Sequence, residues 1–166
     1  MKMDITIAVP GLPFNGESFD RLSVGGSESA GYYVARALAA RGHRVTVFCN
    51  TEQPVRRPDV DYLPIEMFKP YIAFTPHDVC LAQRVPELFA GRNQARFSAL
   101  WCHDLALKRS ETALRGIAWN YDKVFVLSEF QRAQYKTVYD VPDELLYVTR
   151  NGVDLATVAK VKASAP

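Results

Sequence analysis

The sequence predicts an α/β fold, a three-layer sandwich in which helices cover both faces of a mostly parallel sheet. Two observations lead to this prediction. Strand-like and helix-like segments alternate along the chain, and the strand-like segments are apolar throughout instead of at every second position. Continuous apolar strands are typical of parallel sheets, because such sheets are buried on both faces. Ligands of these sheets bind beyond the carboxyl ends of the strands, so we expect the functional residues there.

Six segments have the apolar, often β-branched composition of buried strands. They are residues 4–9, 44–49, 78–82, 95–102, 123–127 and 145–149. A further short strand is predicted within residues 60–68. Between the first strand and the first helix, residues 10–24 form a long irregular connection, and such connections in a compact domain tend to be functional.

The predicted helices lie between these strands. The longest spans residues 28–41 and ends at Gly42, since glycine is the usual residue after a helix C-terminus. Another begins at Ser128, where Ser128 and Gln131 have the spacing of a capping box, and it ends near Tyr139. The remaining predicted helices are residues 86–90 and 111–120.

The length and composition indicate one folded domain. The 166 residues are enough for a full core, and 48% of them are hydrophobic. We assign residues 1–155 to a single domain and interpret the weakly patterned residues 156–166 as a tail or an interdomain linker. The net charge of +2 is too small to indicate a nucleic-acid partner.

The cysteines and histidines indicate a reducing compartment and no metal. Three cysteines in apolar contexts, with no CxxC spacing, are typical of reduced core thiols. The sequence has no cleavable signal pattern and no apolar stretch of membrane-spanning length. We therefore expect a cytoplasmic location, with peripheral attachment to the inner membrane face left open. The three histidines are too far apart to predict a metal site.

Two stretches at strand ends are candidates for ligand binding. Gly25 and Gly26 precede the first helix, where glycines allow close approach to the backbone and a helix N-terminus attracts phosphate. The alternative is a plain strand-to-helix turn in which the glycines adopt positive φ. His103 follows the strand at 95–102, so the two loops should share one crevice.

Four stretches carry a resemblance to a known family. They are Gly-Gly-Ser-Glu at 25–28, Ala-Ala-Arg-Gly-His-Arg-Val-Thr-Val-Phe at 39–48, Trp-Cys-His-Asp at 101–104, and the run from Val-Leu-Ser-Glu-Phe-Gln at 126–131 through Val-Pro at 141–142 to Arg-Asn-Gly-Val-Asp at 150–154. Each is weak alone, but in this order and at these intervals they are specific. Together they resemble the N-terminal half of a glycosyltransferase of the GT-B fold, in the large retaining family 4.

The resemblance implies a Rossmann-like domain that forms one half of a two-domain enzyme, with the active site in the cleft between the halves. The implied reaction transfers a hexose from a nucleotide-sugar to a hydroxyl acceptor, a sugar or glycan, with retention of the anomeric configuration. Neither a cofactor nor a metal ion is implied. In this family the N-terminal half usually holds the acceptor, and the C-terminal half usually holds the nucleotide-sugar.

The chain stops where the donor-binding half should begin. We therefore expect that half as a partner, either in a longer chain or as a separate chain, with homo- or hetero-oligomers as further outcomes. The isolated chain should then have little or no transferase activity.

The resemblance also implies roles for residues at the cleft. His103 should lie beside the donor sugar and hydrogen-bond a hydroxyl, which makes it the candidate catalytic residue. The alternative is a strand-end histidine whose ring nitrogens are satisfied by the backbone. Gly25, Gly26 and Asn151 are placed on the donor and phosphate side.

Four residues are placed on the acceptor side. Glu28 could bind acceptor hydroxyls or simply complement the helix dipole. Gln83 and Arg84 follow the strand at 78–82 and should point towards the cleft, although the family often has a histidine about there. Asp104 is expected to orient the loop or the histidine rather than to react.

Three other classes of protein are alternatives to this interpretation. A non-catalytic sugar- or nucleotide-binding partner subunit stays open, and it would bind its ligand without turnover. An oxidoreductase is disfavoured because the GxGxxG fingerprint is missing, and a hydrolase because no nucleophile elbow is present. The Asp59-Val60-Asp61 sequence imitates a metal-binding DxD motif, but it begins a predicted strand far from the crevice.

Overall fold

The computed structural model describes residues 1–20, 24–107, 120–153 and 155. Its strands are β1 (Asp4–Val9), β2 (Arg44–Cys49), β3 (Val55–Arg56), β4 (Val60–Pro64), β5 (His77–Gln83), β6 (Ala95–Trp101), β7 (Lys123–Val126) and β8 (Leu146–Val148). Its α-helices are α1 (Gly26–Ala40), α2 (Phe68–Phe74) and α3 (Glu129–Tyr139). Short 3₁₀ turns occupy Ser18–Asp20, Ile65–Met67, Pro86–Phe89 and Asp143–Leu145.

The eight strands form one sheet in the order β3-β4-β2-β1-β5-β6-β7-β8. All neighbouring strands are parallel except the β3–β4 pair, which is antiparallel. On one side of β1 the next strands are β2 and then β4. On the other side they are β5, β6, β7 and β8, in chain order. The order of strands therefore reverses between β1 and β5, and a ligand crevice is expected beyond the carboxyl ends of these two strands.

The core consists of two apolar clusters, one on each face of the sheet. Along β1, Ile5, Ile7 and Val9 belong to one cluster and Ala8 belongs to the other. Side chains of a strand alternate between faces, so this division means that both faces are covered. Helix α1 packs on the first cluster, whereas α2 and α3 pack on the second. The predicted three-layer α/β sandwich with a mostly parallel sheet is confirmed.

Helix α1 ends where the sequence predicted. Gly42 has a φ of +90°, a left-handed conformation that favours glycine. Its N–H donates to the carbonyl of Ala39 at 2.8 Å, and the N–H of His43 donates to the carbonyl of Leu38 at 3.3 Å. These two bonds form a Schellman motif, which satisfies carbonyls that the end of the helix leaves open.

Helix α3 begins with a modified capping box. The Ser128 hydroxyl accepts a hydrogen bond from the Gln131 N–H at 3.1 Å, as predicted. The Gln131 side chain, however, accepts from the N–H of Leu127 at 2.7 Å, one residue before the cap. The helix ends at Tyr139, and Asp140 follows it in a left-handed conformation with a φ of 55°.

Two elements were not predicted. Strand β3 has two residues and lies in a polar loop, so its sequence carries no strand pattern. Helix α2 overlaps the segment 60–68, for which only a short strand is predicted, at Phe68 alone, and its other residues carry no prediction; it has seven residues, one of which is proline. Residues 111–119 of the predicted helix at 111–120 lie outside the described residues, as do Asp154 and the predicted tail or linker at 156–166.

Candidate functional site

A cavity of about 580 Å³ lies at the carboxyl edge of the sheet. It is bordered by the loops that follow β1, β5 and β6 and by the N-terminus of α1. The lining residues are Gly11, Leu12, Gly25, Gly26, Ser27, Glu28, Arg84, His103, Asp104, Leu127 and Asn151. The structure therefore brings the two glycines and the histidine together, at the point where the order of strands reverses.

A second cavity of about 720 Å³ adjoins the first. The two share Gly11, Arg84, His103 and Asp104, which we call the shared wall. Beyond this wall the second cavity is bordered by Glu87 and other residues of the loops after β5 and β6, and by Tyr135 and Tyr139 of α3. Two neighbouring spaces separated by a polar wall can hold two ligand groups side by side.

Gly25 is explained by a neighbouring side chain. A Cβ atom on Gly25 would lie 2.3 Å from Oε2 of Glu28, whereas a Cβ on Gly26 would meet nothing within 4 Å. Gly25 has a φ of −62°, so the alternative that this turn needs positive φ there is wrong. Gly25 supplies no side-chain cap for α1, and the N–H groups of Gly26 and Ser27 have no partner within the helix.

Glu28 fastens the loop between β1 and α1. Its side chain is only 2% exposed, and its carboxylate oxygens accept hydrogen bonds from the Leu12 N–H and the Ser27 hydroxyl, each at 3.0 Å. Burial alone would raise the pKa of this carboxyl. Hydrogen bonds from its own N–H, from Leu12 and from Ser27, together with the charge of Arg84, outweigh burial and lower the pKa. Each oxygen is engaged by a hydrogen bond from the loop, although the residue also borders the smaller cavity.

Gln83 does not point towards the cleft as expected. Its side chain is 0% exposed and lines neither of the two cavities. It pairs with Trp101 as the last residue of β5 and lies under α1, where a Cβ on Gly31 would come within 3.2 Å of its Nε2. The strand continues one residue further than predicted, so Gln83 still takes part in the alternation that buries strand side chains.

Arg84, the next residue, does face both cavities. It has a φ of 63°, and the N–H of Val85 donates to the carbonyl of Gln83 at 2.6 Å, which closes a tight γ-turn. A residue in this conformation is strained, and such strain is often found at functional sites. The Arg84 Nε donates to Asp104 Oδ2 at 2.7 Å, so the guanidinium is fixed across the shared wall.

His103 lies two residues after the end of β6, with its ring 4.6 Å from that of Trp101. Its Nε2 is buried and has no hydrogen-bond partner in the part of the chain that the structure describes. The alternative in which the backbone satisfies the imidazole therefore fails for this nitrogen. Burial lowers the pKa of His103, the charge of Arg84 acts in the same direction, and Asp104 and Glu28 only partly oppose them. The imidazole is held neutral at neutral pH.

Asn151 is exposed and borders the smaller cavity with the glycines.

Asp104 holds Arg84 through its side chain, while its backbone carbonyl accepts two hydrogen bonds from α3, from Gln131 and Tyr135. The sequence interpretation missed this second link. Its only signal is a glutamine in the first turn of α3, which the capping box appeared to explain completely.

Two negative findings apply to the described residues. Among them, no group of three or more His, Cys, Asp or Glu side chains is arranged to hold a metal ion. No helix within the same ranges has the length and apolar composition needed to cross a bilayer.

Solved structures with a similar fold include two enzymes of about twice this length. The sucrose-phosphate synthase from Thermosynechococcus elongatus matches with a TM-score of 0.66 and 15% identity, over 97% of this chain and 53% of that one. A glycosyltransferase from Rickettsia africae ESF-5 matches with a TM-score of 0.62 and 14% identity, over 99% of this chain and 50% of that one. The chain thus spans about half the length of these proteins, and its Rossmann-like fold corresponds to one half of a GT-B architecture.

Comparison of the sequence with curated proteins gives no match. The sequence profile of Glycosyltransferase Family 4, by contrast, matches residues 24–157. This range includes the glycines at the start of α1, Asn151, and every residue of the shared wall except Gly11. The chain belongs to glycosyltransferase family 4.

Proposed function

We propose that the chain is the acceptor-side half of a glycosyltransferase that moves a hexose from a nucleotide-sugar to a hydroxyl acceptor with retention of configuration. One observation carries the proposal: the N-terminus of α1 and His103 meet at one cavity of about 580 Å³. Family membership supports the transferase class. The twofold length of the similar structures supports the need for a C-terminal half that binds the donor.

The N-terminus of α1 is the proposed neighbour of the donor diphosphate. The N–H groups of Gly26 and Ser27 have no partner within the helix, and the helix dipole adds partial positive charge. Gly26 has open space around its Cα, so a phosphate could approach the backbone closely. The contacts to the base and ribose, and most contacts to the phosphates, are assigned to the C-terminal half.

His103 is proposed to hold a hydroxyl of the transferred sugar. Because burial lowers the pKa of this histidine, its imidazole stays neutral at neutral pH and keeps one donor nitrogen and one acceptor nitrogen. The buried Nε2 without a partner is the nitrogen that a sugar hydroxyl would satisfy.

The adjoining cavity of about 720 Å³ is the proposed acceptor site. Arg84, Glu87 and Asp104 border it and can hydrogen-bond hydroxyl groups. In the transfer step the bond from the anomeric carbon to the phosphate oxygen breaks, and its electron pair leaves with the diphosphate. The acceptor oxygen bonds to the same face of the anomeric carbon, and its proton passes to the departing phosphate. No side chain of this half is then needed as a base.

The test is His103→Ala in the complete enzyme, in which this chain is combined with its C-terminal half. We expect kcat/KM to fall by about a hundredfold, as for the loss of one well-placed hydrogen-bond partner in an active site. His43→Ala is the matched control, because His43 lies before β2 at the opposite edge of the sheet and should leave turnover within about twofold.

Unchanged turnover in His103→Ala would refute the role of this histidine. If the complete protein instead binds a nucleotide-sugar and never turns it over, it is the non-catalytic binding subunit. The isolated chain should show little or no transfer with any nucleotide-sugar, and rapid turnover by it would contradict the need for a second half.

Metal independence and a cytoplasmic location complete the proposal. The diphosphate charge is assigned to helix N–H groups and to cationic side chains of the C-terminal half, so transfer by the complete enzyme should persist in EDTA. The location is supported by the cysteines, since Cys49, Cys80 and Cys102 are all buried free thiols.

A further inference from the structure

The side chain of Gln131 joins two loops at the edge of the sheet. Its Nε2 donates to the carbonyl of Asp104 at 2.7 Å and to the carbonyl of Cys102 at 3.3 Å. Its Oε1 accepts from the N–H of Leu127 at 2.7 Å. The residue is only 3% exposed. A primary amide has two N–H donors and one carbonyl acceptor, and all three are used here.

The two carbonyls that accept from Gln131 belong to the residues on either side of His103. Regular strand pairing ends at Trp101, so the backbone that carries the imidazole is outside the β6 ladder. The amide of Gln131 therefore fixes the carbonyl of the residue before the histidine and the carbonyl of the residue after it. Because those bonds lie in a buried place, replacing them by water is costly.

Tyr135 adds a further bond one turn along α3. Its hydroxyl donates to the same Asp104 carbonyl at 3.1 Å, and its ring is buried in the core cluster that α3 covers. Gln134, on the same helix, makes no hydrogen bond to residues 102–104 among those described, and its Oε1 is buried without a partner. The hydrogen bonds to residues 102–104 thus come from Gln131 and Tyr135, which are four residues apart and lie on one face of α3.

We propose that Gln131, supported by Tyr135, is a positioning residue that sets the orientation of the His103 imidazole at the shared wall. It touches neither cavity, so it acts through the histidine and not on a ligand. Its importance for turnover rests on the proposed function, whereas the positioning itself does not.

The three histidines of the chain allow a direct test by NMR titration of their imidazole signals. In Gln131→Met the loop loses its amide bonds and the imidazole becomes less buried. The pKa of His103 should then rise towards its ordinary value. The charged groups that act on it are Asp104 and Glu28, which raise its pKa, and Arg84, which lowers it. The signals of His43 and His77 should not move. Gln134→Met, the same change on the same helix, should leave all three signals where they are.

An unmoved His103 signal in folded Gln131→Met, with only a lower melting temperature, would overturn the proposal and leave Gln131 as a helix cap. If Gln131→Met does not fold, Tyr135→Phe decides, because it removes one hydroxyl and keeps the ring. A smaller shift of His103 in the same direction supports the proposal, and no shift overturns it.

Turnover separates this inference from the proposed function. In the complete enzyme, Gln131→Met should lower kcat by about ten- to a hundredfold with little change in the donor KM, as expected for a displaced catalytic group. Gln134→Met should match the parent enzyme. If the His103 signal moves while kcat stays the same, the positioning stands and the catalytic role of His103 fails.

Discussion

At the scale of single residues, Gly25 and Gly26 look alike in the sequence and differ in the structure. The space beside Gly25 is filled by the carboxylate of Glu28, and the same carboxylate lies 2.1 Å from where a Cβ of Gly11 would be. The space beside Gly26 is open. Packing therefore explains Gly25 and not Gly26, and only the folded position of Glu28 could reveal this difference.

Alanine substitutions should separate the two glycines. Gly25→Ala pushes a methyl group into a carboxylate that is held by two hydrogen bonds, so we expect a loss of about 1–3 kcal/mol in the free energy of unfolding. Gly26→Ala should leave stability unchanged or raise it by about 0.4–1 kcal/mol, since it meets no atom and lowers the entropy of the unfolded chain. Urea denaturation measures both. Equal effects of the two substitutions would contradict the assignment of Gly25 to Glu28.

The buried carboxylate of Glu28 predicts a pH dependence of stability. Its pKa is lower in the folded protein than in the unfolded chain, so its contribution is complete above the unfolded pKa and is lost as the pH falls through the folded pKa. Glu28→Gln should cost about 1–3 kcal/mol at neutral pH, because a neutral amide leaves buried donors poorly matched.

Urea denaturation of Glu28→Gln and its parent at several pH values should therefore show two stabilities that converge on acidification. Glu17→Gln, at an exposed glutamate, is the control and should follow the parent throughout. A difference between Glu28→Gln and its parent that is constant with pH would refute the ionised state assigned to Glu28.

At the scale of elements, the sequence was informative wherever one local signal decided the outcome. Continuous apolar runs predicted six of the eight strands, and Gly42 and Ser128 marked the ends of two helices. Strand β3 and helix α2 were missed because they are short and depend on packing against β4 and the core. Gln83 was misplaced by a strand boundary one residue off, which is enough to turn a side chain from an edge to a buried face.

The N-cap of α3 gives a prediction for this scale. Ser128→Ala removes the acceptor for the Gln131 N–H and should cost about 1 kcal/mol in the free energy of unfolding. Thr137→Ala, at an exposed position within the same helix, should change it by less than about 0.5 kcal/mol. Chemical denaturation with both variants is sufficient, and equal losses would show that the cap contributes nothing specific.

At the scale of the whole molecule, exposed apolar side chains are present at the edge that carries the site. Leu12, Leu105, Leu107 and Phe130 are all exposed, and each follows the carboxyl end of a strand. A cluster of this kind around a cavity is typical of a surface that meets another protein or domain. It agrees with the proposal that a C-terminal half closes over this edge.

Two phenylalanines test that surface. Phe130, which is 64% exposed, begins α3 at the carboxyl edge, whereas Phe74, which is 74% exposed, ends α2 just before the amino end of β5. Phe130→Ser should weaken binding of a separately produced C-terminal half by about tenfold, as expected for the loss of an aromatic contact at an interface. Phe74→Ser should have no effect.

Light scattering and calorimetry with the mixed halves measure this binding. Light scattering of the chain alone reports whether it forms homo-oligomers through the same edge, and Phe130→Ser should then reduce them as well. Equal affinities for the two variants would place the partner surface elsewhere.

The position of β1 in the middle of the sheet also affects how the protein folds during synthesis. Its neighbour β2 is close in the chain, but its other neighbour is β5, and the Asp4 N–H donates to an Asp78 carboxylate 74 residues away. On the ribosome, the unit of β1, α1 and β2 emerges well before β5 does. A nascent chain that ends after β2 already contains Gly25 and Gly26. It lacks the crevice, because the residues that complete the border of this cavity, from Arg84 to Asn151, follow β5 and later strands.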